Sequence, residues 1–116
     1  MKKESLEAIT GQCHCGSLKY KAQLPIVNSD YCDCRGCQKA TGAFEVPFVA
    51  VYVKNFKIIT GHIASFRADQ GEGCDPDGTW NFCPKCGTQI FWKGDQADEL
   101  TILAGTLDEV GVFQSE

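Results

Sequence analysis

From Leu18 the chain alternates. Leu18, Tyr20 and Ala22 are apolar, and Lys19, Lys21 and Gln23 between them are polar. A period of two predicts a half-buried strand, which Pro25 ends. Ile26–Cys32 reads as a short strand or extended segment leading into a cysteine cluster. Arg35–Thr41 is expected to form one or two helical turns, closed by Gly42 as a C-cap. Phe44–Val53, FEVPFVAVYV, is apolar and β-branched and predicts a strand. Pro47 within it points to an edge position or a bulge. Asn55–Thr60 and Ile63–Ala68 add two more strands, and Gln89–Lys93 and Glu99–Ala104 the last two. Met1–Ala8 is polar and expected to fray. Asp69–Gly78, rich in glycine and aspartate, is expected to be a mobile loop that covers a site. Short strands separated by turn residues predict a mainly β protein of antiparallel sheets with few short helices.

Length and composition narrow this further. The chain has 116 residues, enough for one hydrophobic core, so residues 1–116 are read as a single domain. Hydrophobic and charged contents of 43% and 22% are ordinary for a soluble globular protein. A formal net charge of −4 argues against a nucleic-acid partner, which needs a basic footprint. No run approaches the ~18 apolar residues of a membrane span. Lys2 and Lys3 are not followed by the apolar core of a secretion signal, so the protein is read as cytoplasmic.

Eight cysteines change the picture most. In a reducing compartment, closely spaced pairs point to metal rather than to disulfides. Seven of them form three clusters: Cys13/Cys15, Cys32/Cys34/Cys37 and Cys83/Cys86. Cys13, Cys15, Cys83 and Cys86 make a closed tetrahedral set. Each pair is followed by a glycine and then a strand, so two turns facing each other would form a structural, zinc-ribbon-like site. A closed four-thiolate site serves folding rather than chemistry. Cys32, Cys34 and Cys37 are left without a fourth ligand nearby. Three protein ligands with one open position are the signature of catalytic zinc. Cys74, in the Asp69–Gly78 loop, is the alternative: if it binds, the second site is closed as well.

The remaining polar residues carry weaker signals. His14 sits inside the first knuckle and is read as pointing away from the metal; His62 is read as a surface residue. Arg35 and Lys39 lie on the same stretch as the trio and can offset its charge or meet a substrate carboxylate, against a plain reading as solvated cations. Phe44, Phe48, Trp80 and Trp92 are read first as packing beside the knuckles and second as pocket lining.

The segments GQCHCGSLKY, CDCRGCQKATGAF, FCPKCGTQIFW and AGTLDE, in that order from Gly11 to Glu109, resemble the family of glutathione-dependent formaldehyde-activating enzymes (S-(hydroxymethyl)glutathione synthase). That family is similar in fold to the Mss4-like proteins. The resemblance implies antiparallel sheets with few helices. It implies a structural zinc on Cys13, Cys15, Cys83 and Cys86 and a catalytic zinc on Cys32, Cys34 and Cys37, two per chain. Asp33 stands where members often carry His or Ser. The chain also ends soon after Gly105-Thr106-Leu107-Asp108, where many members continue, so part of a substrate-binding wall is expected to be missing.

The expected activity is that of a carbon–sulfur lyase. A small thiol such as glutathione would bind as thiolate at the open zinc position and be joined to, or released from, formaldehyde or another small aldehyde. The rival expectation is a non-enzymatic zinc module with two structural sites that binds a protein partner. An exposed edge strand leaves room for a homodimer.

Overall fold

The computed structural model describes residues 7–68, 77–109 and 111–113. Of the segment expected to fray, positions 1–6 lie outside the described residues, as do Cys74 and nearly all of the expected loop, while Ala8 opens the first strand. The strands in chain order are β1 (Ala8–Gln12), β2 (Lys19–Gln23), β3 (Asn28–Cys32), β4 (Val46–Tyr52), β5 (Phe56–Thr60), β6 (Ala64–Arg67), β7 (Gly78–Phe82), β8 (Gln89–Gly94) and β9 (Glu99–Leu103). The helix α1 spans Arg35–Thr41, and short 3-10 turns cover Val53–Asn55 and Ala104–Thr106. The strands form a three-stranded sheet, β1-β2-β5, and a six-stranded sheet, β3-β4-β9-β8-β7-β6. Every pairing between them is antiparallel. The protein is mainly β, as its alternation predicts.

The core lies between the two sheets. Ile9, Tyr20 and Ala22 from the small sheet meet Val49, Val51, Ile90, Phe91, Leu100 and Ile102 from the large one. On β2 the alternation holds to the residue: Tyr20 and Ala22 are buried, and Lys19, Lys21 and Gln23 are exposed. The rings of Tyr20, Phe56 and Phe91 stack in series, with centroids 5.3 and 4.9 Å apart. Burying such rings removes large apolar areas from water and dominates the stability of a small core.

Two strands escape the sequence pattern. β1 alternates, but its inward residues are Ile9 and Gly11, and a glycine adds no hydrophobic signal. Its lack of a side chain is nevertheless required: a Cβ on Gly11 would collide with the Tyr20 ring and the Thr106 carbonyl. β7 buries Gly78, Trp80 and the polar Asn81. The Asn81 side chain bonds to Ser65 Oγ at 2.7 Å and to the Thr79 carbonyl at 3.2 Å, which is how a polar residue is accommodated inside.

The edge position expected for Pro47 is corrected. β4 lies inside the sheet, paired with β3 on one side and β9 on the other. Proline is tolerated because it falls near the start of the strand. Pro47 pairs with Tyr31 of β3, whereas the β9 ladder begins one residue later, at Phe48↔Leu103.

Candidate metal centre and adjoining cleft

The two knuckles are built alike. In the first, the Cys13 N–H bonds to the Leu18 carbonyl at 3.0 Å and the Gly16 N–H returns to the Cys13 carbonyl at 3.2 Å. In the second, Cys83 bonds to Thr88 at 3.0 Å and Gly87 returns to Cys83 at 2.8 Å. Gly16 and Gly87 have φ of 82° and 81°, a left-handed conformation that suits glycine. In each knuckle a hydroxyl two positions beyond the second cysteine reaches its sulfur. Ser17 Oγ lies 3.1 Å from Cys15 Sγ, and Thr88 Oγ1 lies 3.1 Å from Cys86 Sγ. The His14 N–H also donates to Thr88 Oγ1 at 3.1 Å, joining one knuckle to the other. His14 is exposed.

The fold brings Cys13, Cys15, Cys83 and Cys86 together, their sulfurs all within 4.8 Å of one another. Cys13–Cys15 is 3.6 Å and Cys15–Cys83 is 3.9 Å. Thiolates about 2.3 Å from a tetrahedral zinc stand roughly 3.8 Å apart, so the donor set fits such an ion without rearrangement. The Thr88 hydroxyl, with backbone N–H groups, holds the Cys86 thiol down to about 5. Such a sulfur is already the thiolate that a metal needs.

The trio converges too. Cys32 ends β3, Cys34 caps the start of α1 and Cys37 lies within α1. All three are half-buried and their sulfurs lie within 4.8 Å of one another. Cys32–Cys34 is 3.5 Å, and Cys37 donates to Cys32 at 2.9 Å, a tighter pair than zinc would hold. Burial, with the Cys32 sulfur beside it, pushes the Cys37 thiol up to about 12. Cys34 is disulfide-bonded, so all three serve as ligands only in the reduced protein. The chemistry of the set, three convergent sulfurs on a turn and a helix start, fits a soft divalent ion.

Helix α1 ends as its sequence predicts. Gly42, at φ 83°, donates its N–H to the Gln38 carbonyl at 2.7 Å. Arg35 and Lys39 are exposed on this helix, and Arg35 donates to Gln38 Oε1 at 2.6 Å. Asp33 and His62 are exposed as well.

A cleft of about 790 Å³ opens between the two knuckles and the end of α1; none of Cys32, Cys34 and Cys37 is among the described residues lining it, but its walls adjoin the elements that carry them. Its walls are the knuckle residues Gln12–His14 and Gly87–Gln89, the end of α1 at Ala40 and Thr41, the start of β4 at Val46 and Pro47, and the segment Leu103–Asp108. Two links tie it to the trio. Cys32 pairs with Val46 across β3 and β4. Thr41 Oγ1 donates to the Cys37 carbonyl at 2.8 Å, one helical turn along the same face. Gln89, the first residue of β8, donates its Nε2 to the Ala40 carbonyl at 3.4 Å. Its Oε1 is buried with no partner among the described residues, which costs about 1–3 kcal/mol while it lasts.

The aromatic expectations divide. Trp80 is buried and stacks on half-buried Trp92 with centroids 5.4 Å apart. Phe44 is 84% exposed, so neither packing nor pocket describes it. None of Phe44, Phe48, Trp80 and Trp92, nor Arg35 or Lys39, is among the described residues lining the cleft. The sequence offered no signal for Gln89, Thr88 or Ser17, because their roles arise only when distant turns meet.

An antiparallel β fold with one closed and one three-membered cysteine cluster defines a class of metal-binding protein. The sequence profile of the glutathione-dependent formaldehyde-activating enzymes matches residues 8–116. The chain belongs to that family. Its Mss4-like fold accords with this. No curated protein matches the chain. Among solved structures, a Rhodobacter sphaeroides protein determined as a structural-genomics target is similar in fold, with a TM-score of 0.68 at 18% identity, over 87% of this chain and 89% of that one. Among the described residues no helix is long and apolar enough to cross a membrane.

Proposed function

We propose that the protein is a zinc-dependent carbon–sulfur lyase of the S-(hydroxymethyl)glutathione synthase type, active on the adduct of a small thiol and formaldehyde or another small aldehyde. The observation that carries this reading is the convergence of three half-buried cysteines on β3 and α1, with a cleft large enough for a small molecule bordered by the end of α1 and by the partner strand of β3. Family membership supports glutathione and formaldehyde as the first thiol and aldehyde to test.

Cys13, Cys15, Cys83 and Cys86 would hold a structural zinc that ties the two knuckles together. Cys32, Cys34 and Cys37, reduced, would hold a second zinc with one position open. Zinc there would supply a site at which a thiol is bound as its thiolate at neutral pH. Three thiolates against a doubly charged ion leave a net negative centre, suited to a soft sulfur ligand rather than to generating hydroxide. We assign Arg35 and Lys39, exposed on α1, to offsetting that charge. The cleft walls would hold the body of the thiol, with the aldehyde carbon meeting its sulfur above the trio. The bond formed or broken is the one between that sulfur and the aldehyde carbon. The proton that the thiol loses balances the one gained by the aldehyde oxygen.

The test is zinc per chain on reduced protein, followed by competition with a chelator in the presence and absence of glutathione. Two zincs, one removed more easily and protected by glutathione, support an open thiol site on the trio. One zinc, or two that are equally resistant and indifferent to glutathione, would favour the purely structural module.

A further inference from the structure

The charge of the cleft does not match the thiol that the family is named for. Glutathione carries two carboxylates and one ammonium at neutral pH. Among the described residues lining the cleft there is no lysine and no arginine. The one carboxylate there is Asp108, exposed at the rim and bonded to Thr10 Oγ1 at 2.8 Å. Arg35 and Lys39, assigned above to the charge of the trio, are exposed on α1 and are not among the described residues lining the cleft. A ligand carboxylate placed inside the cleft would be desolvated near Asp108 with no described cation in the lining to meet it, which is unfavourable.

The walls offer something else. Ala40, Ala43, Val46, Pro47, Leu103 and Leu107 make much of the lining apolar. The side chain of Gln89 presents a buried carbonyl oxygen that nothing described satisfies. Its amide is held by one long bond, 3.4 Å to the Ala40 carbonyl, and the residue lines the cleft. A buried acceptor left without its partner discriminates strongly between ligands that can and cannot donate to it.

Resting on the open-site reading above, we propose that this cleft selects a thiol with an amide-bearing body free of carboxylates over glutathione, Gln89 Oε1 accepting an N–H from that body. Gln89 is then a specificity-determining residue, and Asp108 sets the charge that the rim tolerates.

The experiment compares glutathione with its diethyl ester, which has the same skeleton and amides but no carboxylates. Binding to reduced, zinc-loaded protein is measured by calorimetry. The ester is expected to bind about tenfold more tightly. Gln89→Met, near in size but without the acceptor, is expected to weaken the ester by about tenfold. Asp108→Lys, at an exposed rim position where it gives up one hydrogen bond from Thr10, is expected to close most of the gap by strengthening glutathione, with a circular dichroism melt checking that the fold is kept. Glutathione binding as tightly as the ester to the unaltered protein would overturn the proposal while leaving the open site standing. So would an Asp108→Lys protein whose preference is unchanged. If neither thiol binds, the open-site reading falls and takes this proposal with it.

Discussion

The sulfurs of Cys15 and Cys83 lie 3.9 Å apart across 68 positions of sequence. The knuckles that carry them start β2 in the small sheet and β8 in the large one, so this contact joins the two layers at one end of the core. A metal there closes a long loop and binds only the folded arrangement, and its binding energy becomes folding energy. Cys83→Ser should therefore lower the thermal midpoint by on the order of 10 °C or more. A strong chelator should do the same to the unaltered protein. Circular dichroism melts check both, and a melt unmoved by either would remove the structural role.

The trio should behave differently. Cys37 sits on α1, a helix that buries none of its residues, so little core depends on it. Cys37→Ser is expected to shift the midpoint by no more than a few degrees. It should remove the second zinc and reduce kcat/KM for the thiol–aldehyde reaction by about 100-fold or more. Metal analysis and steady-state kinetics on the same preparation separate the two effects. Retained activity with one zinc would place the chemistry elsewhere.

Gly11 gives a test of the packing. Tyr20 is buried against it, and the Tyr20 hydroxyl shares a 2.6 Å hydrogen bond with Thr106 Oγ1. Burial raises the Tyr20 phenol well above its ordinary range, so the ring stays neutral at every ordinary pH. A methyl group at position 11 would meet that ring and the Thr106 carbonyl behind it. Gly11→Ala should destabilise by about 1–3 kcal/mol through overpacking. Because Thr106 also lines the cleft, thiol binding should weaken along with stability. Urea denaturation and a thiol titration measure the two.

The sequence revealed these relationships unevenly. The partition of seven cysteines into a set of four and a set of three was legible, because each knuckle carries its own glycine and a following strand. The strand β2 and the helix α1 were legible for the same reason: their patterns are local. β1 and β7 were not, since the buried faces of these strands use Gly11, Gly78 and Asn81, residues whose place inside depends on what packs over them. The interior position of Pro47 was hidden because strand order is not written in periodicity. The cleft was the least legible feature. Its walls come from four separated segments, and the unsatisfied oxygen of Gln89 exists only because β8 begins beside the end of α1.

The two cysteine sets should also part on acidification. Metal binding requires thiolate, so a thiol with a raised pKa must surrender a proton to the solution when zinc enters. Cys37, at about 12 in the metal-free protein, is protonated throughout the neutral range. Zinc affinity at the trio should then fall about tenfold per pH unit for each proton displaced. Cys86, at about 5, is already thiolate above that pH, so the set of four brings one preformed thiolate, although Cys15 is raised and must release its proton. The set of four also has one more ligand to hold the ion. As pH is lowered from roughly 8 to 5, the trio should give up zinc first and the knuckles later. A chromophoric chelator added to reduced protein at each pH would follow the release, with the Cys37→Ser protein marking the knuckle zinc. The expected record has two steps, the one at higher pH absent from Cys37→Ser. Loss of the knuckle zinc first would show that proton competition does not order the two sites.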